Sequence, residues 1–586
     1  MRKYFSEGER SWRLDRKDRV LMYVLTLVYT VFTLINLGTL RFPTTVWEAP
    51  AEGSVVLDLG QERHVGSLWF NGNIAAGTLL ITADDGGSFV YEQVYGEMFS
   101  WRIKNVDFRT RFLRLERTGG SVSLNEMAVF DPEGGRLPVT AADGTGEALI
   151  DEASAVPEKP GCFNGMIFDE IYHARTAYEF LHTMSVYEWT HPPLGKEIIA
   201  LGVLIFGMKP FGWRVMPALF GAAMLPLMFT LGKRLFRRRD YAFLGAALFA
   251  LDTMHYAQTR IATVDVFVVF FILMMYLFMA DFLRADSEDE PLRRALVPLG
   301  ACGISFGLGT AAKWTGLYAG AGLAVIFFAH LIRALAAAER GEARRERWNR
   351  TWDIIVFCCV FFLVIPALIY FLSYIPFYRY EAAQRGAASL SLREMLDVLI
   401  RQQESMYSYH SNLTATHSSQ SAWYEWPFTA VSVWFYFRSG ETTVSNISTF
   451  GSPAVWWTAS LGTMCAIVEA ACGRFRDDAL YRKKALAFLL TAVGANYLPW
   501  TLVTRCVFQY HFFPTIPFAL LCGVLLLQHL EEAGEVSPKV KWYWLIAAAV
   551  YFLLLLPACS GLPMTRLYAR FIEYVLPAGN LFHGAV

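Results

Sequence analysis

The chain has 586 residues, 54% of them hydrophobic and 15% aromatic, with a mean hydropathy of +0.33. Its 52 basic residues balance its 52 acidic ones, so net charge offers no footing for a polyanion such as nucleic acid. A soluble enzyme of this length is less apolar, and the nine cysteines have no spacing of a disulfide framework or a zinc site.

A basic tail, residues 1–19, precedes the first apolar stretch at 20–40. That stretch is too long, and lacks the small-residue cleavage site, for a signal peptide, so it reads as a retained anchor. Ten more apolar stretches follow, near 213–234, 241–257, 264–283, 295–312, 316–335, 352–376, 454–472, 484–502, 512–530 and 542–559. Each is long enough, or nearly so, to cross a bilayer. The pattern predicts a polytopic α-helical membrane protein with about eleven spans. The last four form a C-terminal membrane region, 454–586.

Lysine and arginine orient it. Arg2, Lys3, Arg10, Arg13, Arg16, Lys17 and Arg19 precede the first span. Every second connection is also basic: Lys233 to Arg239, Arg293-Arg294, Arg344 to Arg347, Arg474 to Lys484, and Lys539 with Lys541. Eleven spans with a cytoplasmic N-terminus put all of these in the cytoplasm. Regions 41–195 and 377–453 and the turn near 258–263 then lie outside a plasma membrane.

Region 50–135 reads as β structure. Short runs at 54–59, 77–82, 111–116 and 124–130 alternate with turn clusters such as Asp84-Asp85-Gly86-Gly87. That spacing suggests a small β-sandwich or jelly roll. Leu57-Asp58-Leu59-Gly60, the "ITADDGG" turn, "RFLRLER" and "LNEMAVF" resemble discoidin-type (F5/8 C-like) domains. The resemblance implies a carbohydrate or lipid head-group ligand; a spacer without a ligand fits the residues equally.

The chemistry-bearing residues cluster on the predicted outer face. Phe168-Asp169-Glu170 opens a helix-like run, and His191-Pro192-Pro193-Leu194-Gly195-Lys196 follows it. Acids beside a bilayer are costly unless they act or stay wet. Asp169 and Glu170 also fit a charge pair at a helix N-terminus. Arg214, Arg260 with Asp265, Lys313 beside Trp314, and Arg505 near His511 all fall at outer span ends. Individually they fit a capping ion pair (Arg260 and Asp265) or a snorkelling lysine (Lys313). Together they place several cations where the positive-inside rule predicts few, which suggests an anionic ligand such as a phosphate. The segment around His410, His417, Trp423 and Trp426 is either part of a binding cleft or an aromatic interfacial loop.

From about Phe168 onward the chain resembles the protein O-mannosyltransferases, in particular their bacterial members. The matching stretches are "FDEIYHA", "HPPLGK", "FGWRVMPALFG", "TRIATVDVF", "GLGTAAKWTGLY", "YHSNLTATHSSQSAWYEWP", "GSPAVWW" and "YHFFPTIPF". The resemblance implies a GT-C type catalytic module at 160–376 and an external acceptor loop at 377–453. It implies transfer of mannose, with inversion, from a polyprenyl-phosphate donor to Ser or Thr hydroxyls of secreted or membrane proteins. In that reading Asp169 is the general base, and Glu170 beside it orients, with Asp265, the acceptor, the arginines or a metal. Arg214, Lys313, Arg260 and Arg505 hold the donor phosphate. His191, Asp265, His410, His417 and Trp423 position the substrates. The resemblance fixes no cofactor; the acids are compatible with a divalent cation, but no ligand spacing calls for a metal. The chain lacks the MIR-type insertion of eukaryotic members and carries the discoidin-like insert instead, which bears on the acceptor.

Two alternatives fit parts of the pattern. One is a GT-C transferase acting on a lipid or polysaccharide, as aminoarabinose transferases do. The other is a membrane carbohydrate receptor or transporter. Transporters place charge at mid-membrane, whereas here the charges sit at span ends.

The topology is testable with single engineered cysteines. A cysteine at Gly86 is expected to react with an impermeant maleimide in intact cells. One in the 340–350 connection is expected to react only after permeabilisation.

Overall fold

The computed structural model describes residues 12–286, 290–473, 480–576, 578–579 and 581–582. Of the basic residues expected on one side, Arg2, Lys3, Arg10, Arg474 and Arg476 lie outside the described residues. The chain forms two compact units. A β unit comprises Asn36–Tyr178 and Ile199–Met216; a helical unit comprises Met1–Ile35, Glu179–Ile198 and Pro217–Val586.

The β unit holds seven antiparallel strands: β1 Trp47–Glu48, β2 Ser54–Gly72, β3 Gly77–Ala83, β4 Ser88–Gln93, β5 Trp101–Gly120, β6 Ser123–Phe130 and β7 Thr140–Ala141. Their order is β1-β6-β2-β5-β3-β4, with β7 also paired to β2. All four expected β runs fall inside these strands. The difference is length: β2 and β5 run 19 and 20 residues, through polar stretches the sequence reading left as connections. Register shifts at Asp58/Arg63 and Val65/Ser67 bend this pair, so one curved sheet encloses the core in place of two separate sheets. Alternate side chains from both halves of the long strands, among them Leu57, Leu68, Phe70, Leu113 and Leu115, fill that core with Ile81 and Val129. The "DDGG" turn is stapled to β5 by its acids. Asp84 Oδ2 accepts from the N–H groups of Arg111 and Phe112, and Asp85 Oδ2 from that of Arg109.

The helices of the chain, in order, are α1 Arg16–Leu34, α2 Glu170–Leu181, α3 Leu194–Phe206, α4 Pro210–Phe236, α5 Arg239–Ala250 and α6 Thr253–Gln258. Then come α7 Asp265–Ala285, α8 Leu292–Ala312, α9 Gly316–Ala337, α10 Glu342–Cys359, α11 Ile365–Ser373, α12 Ile375–Gln384 and α13 Leu392–Asn412. The last are α14 Thr458–Ala471, α15 Leu480–Tyr497, α16 Ile516–Glu532, α17 Val540–Ser560 and α18 Arg566–Val575. Among the described residues eight helical segments are long and apolar enough to cross a membrane. The other three expected spans fold as helices that fall short. α1 opens on four charged residues, Arg16 to Arg19. The 241–257 stretch breaks at Asp252, whose side chain caps α6 by accepting from His255 N–H. α16 has only 17 residues.

α7 is the most buried of the eight, and the α10–α11 segment the least. α8 lies close against α10–α11 because it presents glycines. A Cβ on Gly303 would stand 2.2 Å from the carbonyl oxygen of Phe361. Pro366 has no N–H to continue the α ladder, and a π turn at Val360–Val364 precedes it.

The region expected as an external loop, 377–453, is largely structured. It contains most of α12, all of α13, a short 3-10 turn at Trp423–Phe428 and a hairpin of β8 Val433–Ser439 and β9 Thr443–Thr449. β10, Pro563–Thr565, adds to the hairpin's edge at β9. α13 opens on a capping box between Ser391 and Glu394.

In the β unit Glu126 is 1% exposed, and burial pushes its carboxyl up to about 8. A raised carboxyl pKa means that its stabilising protonated form is lost as pH rises from about 4.5 towards 8. Glu126→Gln is therefore expected to raise the melting temperature at pH 8 and to change it little near pH 5, as read by thermal unfolding in detergent.

Candidate functional site

Asp169 is half-buried in the β unit, at the start of α2. Its carbonyl accepts the N–H groups of Tyr172 and His173, both at 3.0 Å, so it stands at the N-cap position. The residue before it, Phe168, has φ +46°. A bulky residue in the left-handed region costs about 1–3 kcal/mol and persists where its flanks are over-determined, often at functional sites.

The flanks here are held by one arginine. Arg214, 2% exposed, directs all five N–H groups inward. Nε and Nη2 grip Glu170 Oε1 and Oε2, both at 2.7 Å. Nη2 also donates to Gly165 O at 3.0 Å, and Nη1 to Cys162 O at 2.7 Å and Leu37 O at 3.1 Å. Glu170 Oε2 accepts Ile167 N–H at 3.0 Å as well. This corrects one expectation, for Arg214, and of the roles open to Glu170 it favours orienting an arginine. Arg214 has no donor left for a phosphate, and Glu170 has both oxygens committed. The two residues build the loop that presents Asp169.

In the helical unit the "HPPLGK" loop is tied by Lys196, which is fully buried. Its ammonium donates to Glu188 Oε2 at 2.5 Å, Glu188 O at 2.7 Å and His191 O at 2.9 Å. Glu188 also lies 3.1 Å from His191 Nδ1 and orients that ring. Sequence reasoning missed Glu188; the signal was an acid eight residues before a lysine, in a run rich in turn residues.

His191 lines a cleft of about 380 Å³ with Lys313, Trp314, Tyr318, His410, Trp500 and Arg505. Lys313 donates to Asp265 Oδ1 at 2.7 Å. Arg505 donates to Cys506 O at 3.3 Å and has no carboxylate partner among the described residues. His410 donates from Nε2 to Thr190 O at 2.8 Å, which leaves the buried Nδ1 as an acceptor without a protein partner. Burial, with help from His191, Arg505 and Lys313, holds His410 down to about 4. Burial lowers His191 too. Both rings are therefore neutral at physiological pH, and the cleft's charge comes from Lys313 and Arg505. Trp500 and residues 503–505 carry this cleft into a second one of about 460 Å³, lined also by Trp423 and Glu425.

The remaining predicted residues are placed differently. Arg260 does not line either cleft. Its Nη1 donates to the carbonyls of Thr33 and Ile35 at the end of α1, and its guanidinium stands 4.8 Å over the Tyr256 ring. His417 accepts Ser419 N–H on Nδ1 and packs edge-on to Phe508. Trp426 is fully buried. Among the described residues no group of three or more His, Cys, Asp or Glu stands where it would hold a metal ion.

The chain is a multispanning helical membrane protein; its helical unit holds a two-cation cleft, and its β unit carries a half-buried aspartate on a strained turn. Residues 159–378 match the family model described as dolichyl-phosphate-mannose-protein mannosyltransferase. Residues 395–572 match the C-terminal four-transmembrane region of protein O-mannosyltransferase. The chain belongs to the protein O-mannosyltransferase family. A polyprenol-phosphate-mannose–protein mannosyltransferase of Mycolicibacterium smegmatis is 25% identical over 455 residues, 68% of this chain and 85% of that protein. One of Mycobacterium tuberculosis is 26% identical over 457 residues, 68% of this chain and 84% of that protein. The fold is similar to that of the S. cerevisiae Pmt1-Pmt2 protein O-mannosyltransferase complex bound to the sugar donor. The TM-score is 0.61 at 12% identity, covering 70% of this chain and 88% of that one.

Breaking a buried ion pair by removing one partner costs about 3–5 kcal/mol. Arg214→Lys and Glu170→Gln are each expected to lower the melting temperature in detergent markedly, whatever the substrate present. Arg505→Ala, half-exposed and without a carboxylate to orphan, is expected to leave it unchanged.

Proposed function

We infer that this enzyme moves mannose from a polyprenyl-phosphate donor to Ser or Thr hydroxyls of secreted or membrane proteins, on the outer face of the plasma membrane. Its N-terminus is cytoplasmic in this reading. The observation that carries it is the cleft in which Lys313 and Arg505 accompany two neutral histidines.

Asp169 is the general base. It takes the proton as the acceptor hydroxyl attacks the anomeric carbon. A single displacement inverts that carbon. The leaving phosphate is already stable as an anion, so the reaction asks for cations to hold its growing charge and needs no general acid. Lys313 and Arg505 supply that charge. Asp265 fixes the Lys313 ammonium and leaves it two further donors. Arg260 is the remaining candidate for the phosphate. His191 and His410 hold hydroxyls of the sugar or the acceptor; His410 Nδ1 is an acceptor awaiting a donor. His417 and Trp423 belong to the acceptor side. Residues 50–135 of the β unit are the discoidin-like insert of this reading.

Asp169→Asn keeps the shape and removes the base. It is expected to lower transfer of labelled mannose to a Ser/Thr-rich peptide by about 10²–10⁴-fold without changing the melting temperature. Arg505→Ala is expected to reduce turnover at least tenfold in the same assay. Full activity of Asp169→Asn refutes the base assignment. Label found in lipid or polysaccharide, and not in peptide, refutes the protein acceptor.

A further inference from the structure

The turn between β4 and β5 reaches the loop that carries Asp169. Phe99, in this turn, has φ +49° and is buried. Its N–H donates to Gly72 O at 2.7 Å, which fixes the turn to β2. Its carbonyl accepts Met166 N–H at 3.1 Å. The same N–H lies 3.0 Å from Ser100 Oγ, and that hydroxyl donates back to Met166 O at 3.4 Å. Gly165 lies so close that a Cβ there would stand 2.9 Å from Ser100 Oγ and 3.2 Å from Ser100 Cα. The turn also touches the helix that follows Asp169. The Phe99 ring packs on Tyr178 at 5.4 Å, and the Arg175 guanidinium stands 5.2 Å over Tyr95.

The loop is thus held from two directions. Arg214 takes the carbonyls of Cys162 and Gly165 and the carboxylate of Glu170. The sheet takes the backbone of Met166. The strained Phe168 lies between Met166 and Glu170, with Ile167 bonded to Glu170. Such strain persists only when both sides are fixed.

We propose that Ser100 and Gly165 are positioning residues for Asp169, so that the β unit is a built part of the catalytic loop. This rests on Asp169 being the general base. It assigns the insert a function that neither a spacer nor a separate ligand-binding module has. A base must be held within about 0.5 Å of its productive place, and a 1 Å error costs on the order of 10²-fold. The sheet supplies that precision through Met166.

The test is Gly165→Ala in the full-length enzyme. The added methyl must turn Ser100 Oγ away from Met166 or shift the loop from Ser100 by a few tenths of an ångström, and either loosens the hold on Met166. Turnover is expected to fall at least tenfold, while KM for polyprenyl-phosphate mannose stays within about twofold, as for a change confined to the transition state. Adding Ser100→Gly removes the opposing Oγ and Cβ and is expected to restore the rate to that of Ser100→Gly alone, which stays below the parent because the Oγ hold on Met166 is gone. If Gly165→Ala does not accumulate, Ser100→Ala carries the test, with an expected fall in kcat of at least threefold and no change in KM. Parental turnover in the variant assayed overturns the proposal, and so does a loss that Ser100→Gly fails to restore. Asp169→Asn is assayed alongside. If it is inactive while Gly165→Ala turns over normally, only the positioning role falls. If it is active, the base assignment falls and the positioning role falls with it.

Discussion

The buried pair of Arg214 and Glu170 is the constraint on which the candidate catalytic loop depends. Two charges removed from water are costly unless every donor and acceptor is answered. Here they are answered: five N–H groups meet two carboxylate oxygens and three backbone carbonyls. Those carbonyls belong to Leu37, Cys162 and Gly165, which are distant in sequence from Arg214. One planar side chain therefore gathers the turn at Leu37, a polar loop and the first turn of α2. A lysine at this position, with three donors on a flexible stem, has no means of holding that geometry. Asp169 is the adjacent residue that this frame leaves outside it.

The helical unit applies the same logic with the opposite outcome. Lys196 is fully spent on Glu188 and His191, and so shapes a loop. Lys313 spends one donor on Asp265. Arg505 has no carboxylate at all among the described residues. The cations form a series from neutralised to available, and the available ones line the cleft. Burial keeps the neighbouring histidines neutral, so the cleft's positive charge comes from Lys313 and Arg505. This gradation separates the structural cations from the candidate phosphate ligands.

Much of this was legible in order but not in role. The "FDEIYHA" and "HPPLGK" stretches were recognisable because paired acids and a diproline are rare beside apolar runs. Which acid Arg214 holds was not legible. Asp169 and Glu170 are neighbours with the same chemistry, and only the position of Arg214 decides that Glu170 is consumed. Arg214 itself looked like a phosphate ligand for the same reason that it is a good ion-pair partner: a planar fork suits any pair of oxygens. In the β unit the short runs were visible through alternation, yet the long strands were not. Polar residues Arg63 and His64 pair with β5 just past the register shift that follows Asp58, where alternation fails. The Met166 contact with Phe99 and Ser100 joins backbone groups, which leave no trace in side-chain pattern.

The sequence by itself determined the class of molecule, the presence of β structure ahead of the acidic motif and the order of the functional motifs. These follow from composition, run length and periodicity, which are local properties of the chain. Only the tertiary structure decided which charges are spent and which remain. It also decided that the turn at Phe99 and Ser100 meets the loop before Asp169. The reason is physical: a charge is neutralised, and a loop is held, by whatever the fold brings within about 3 Å, and that distance is not encoded in spacing along the chain.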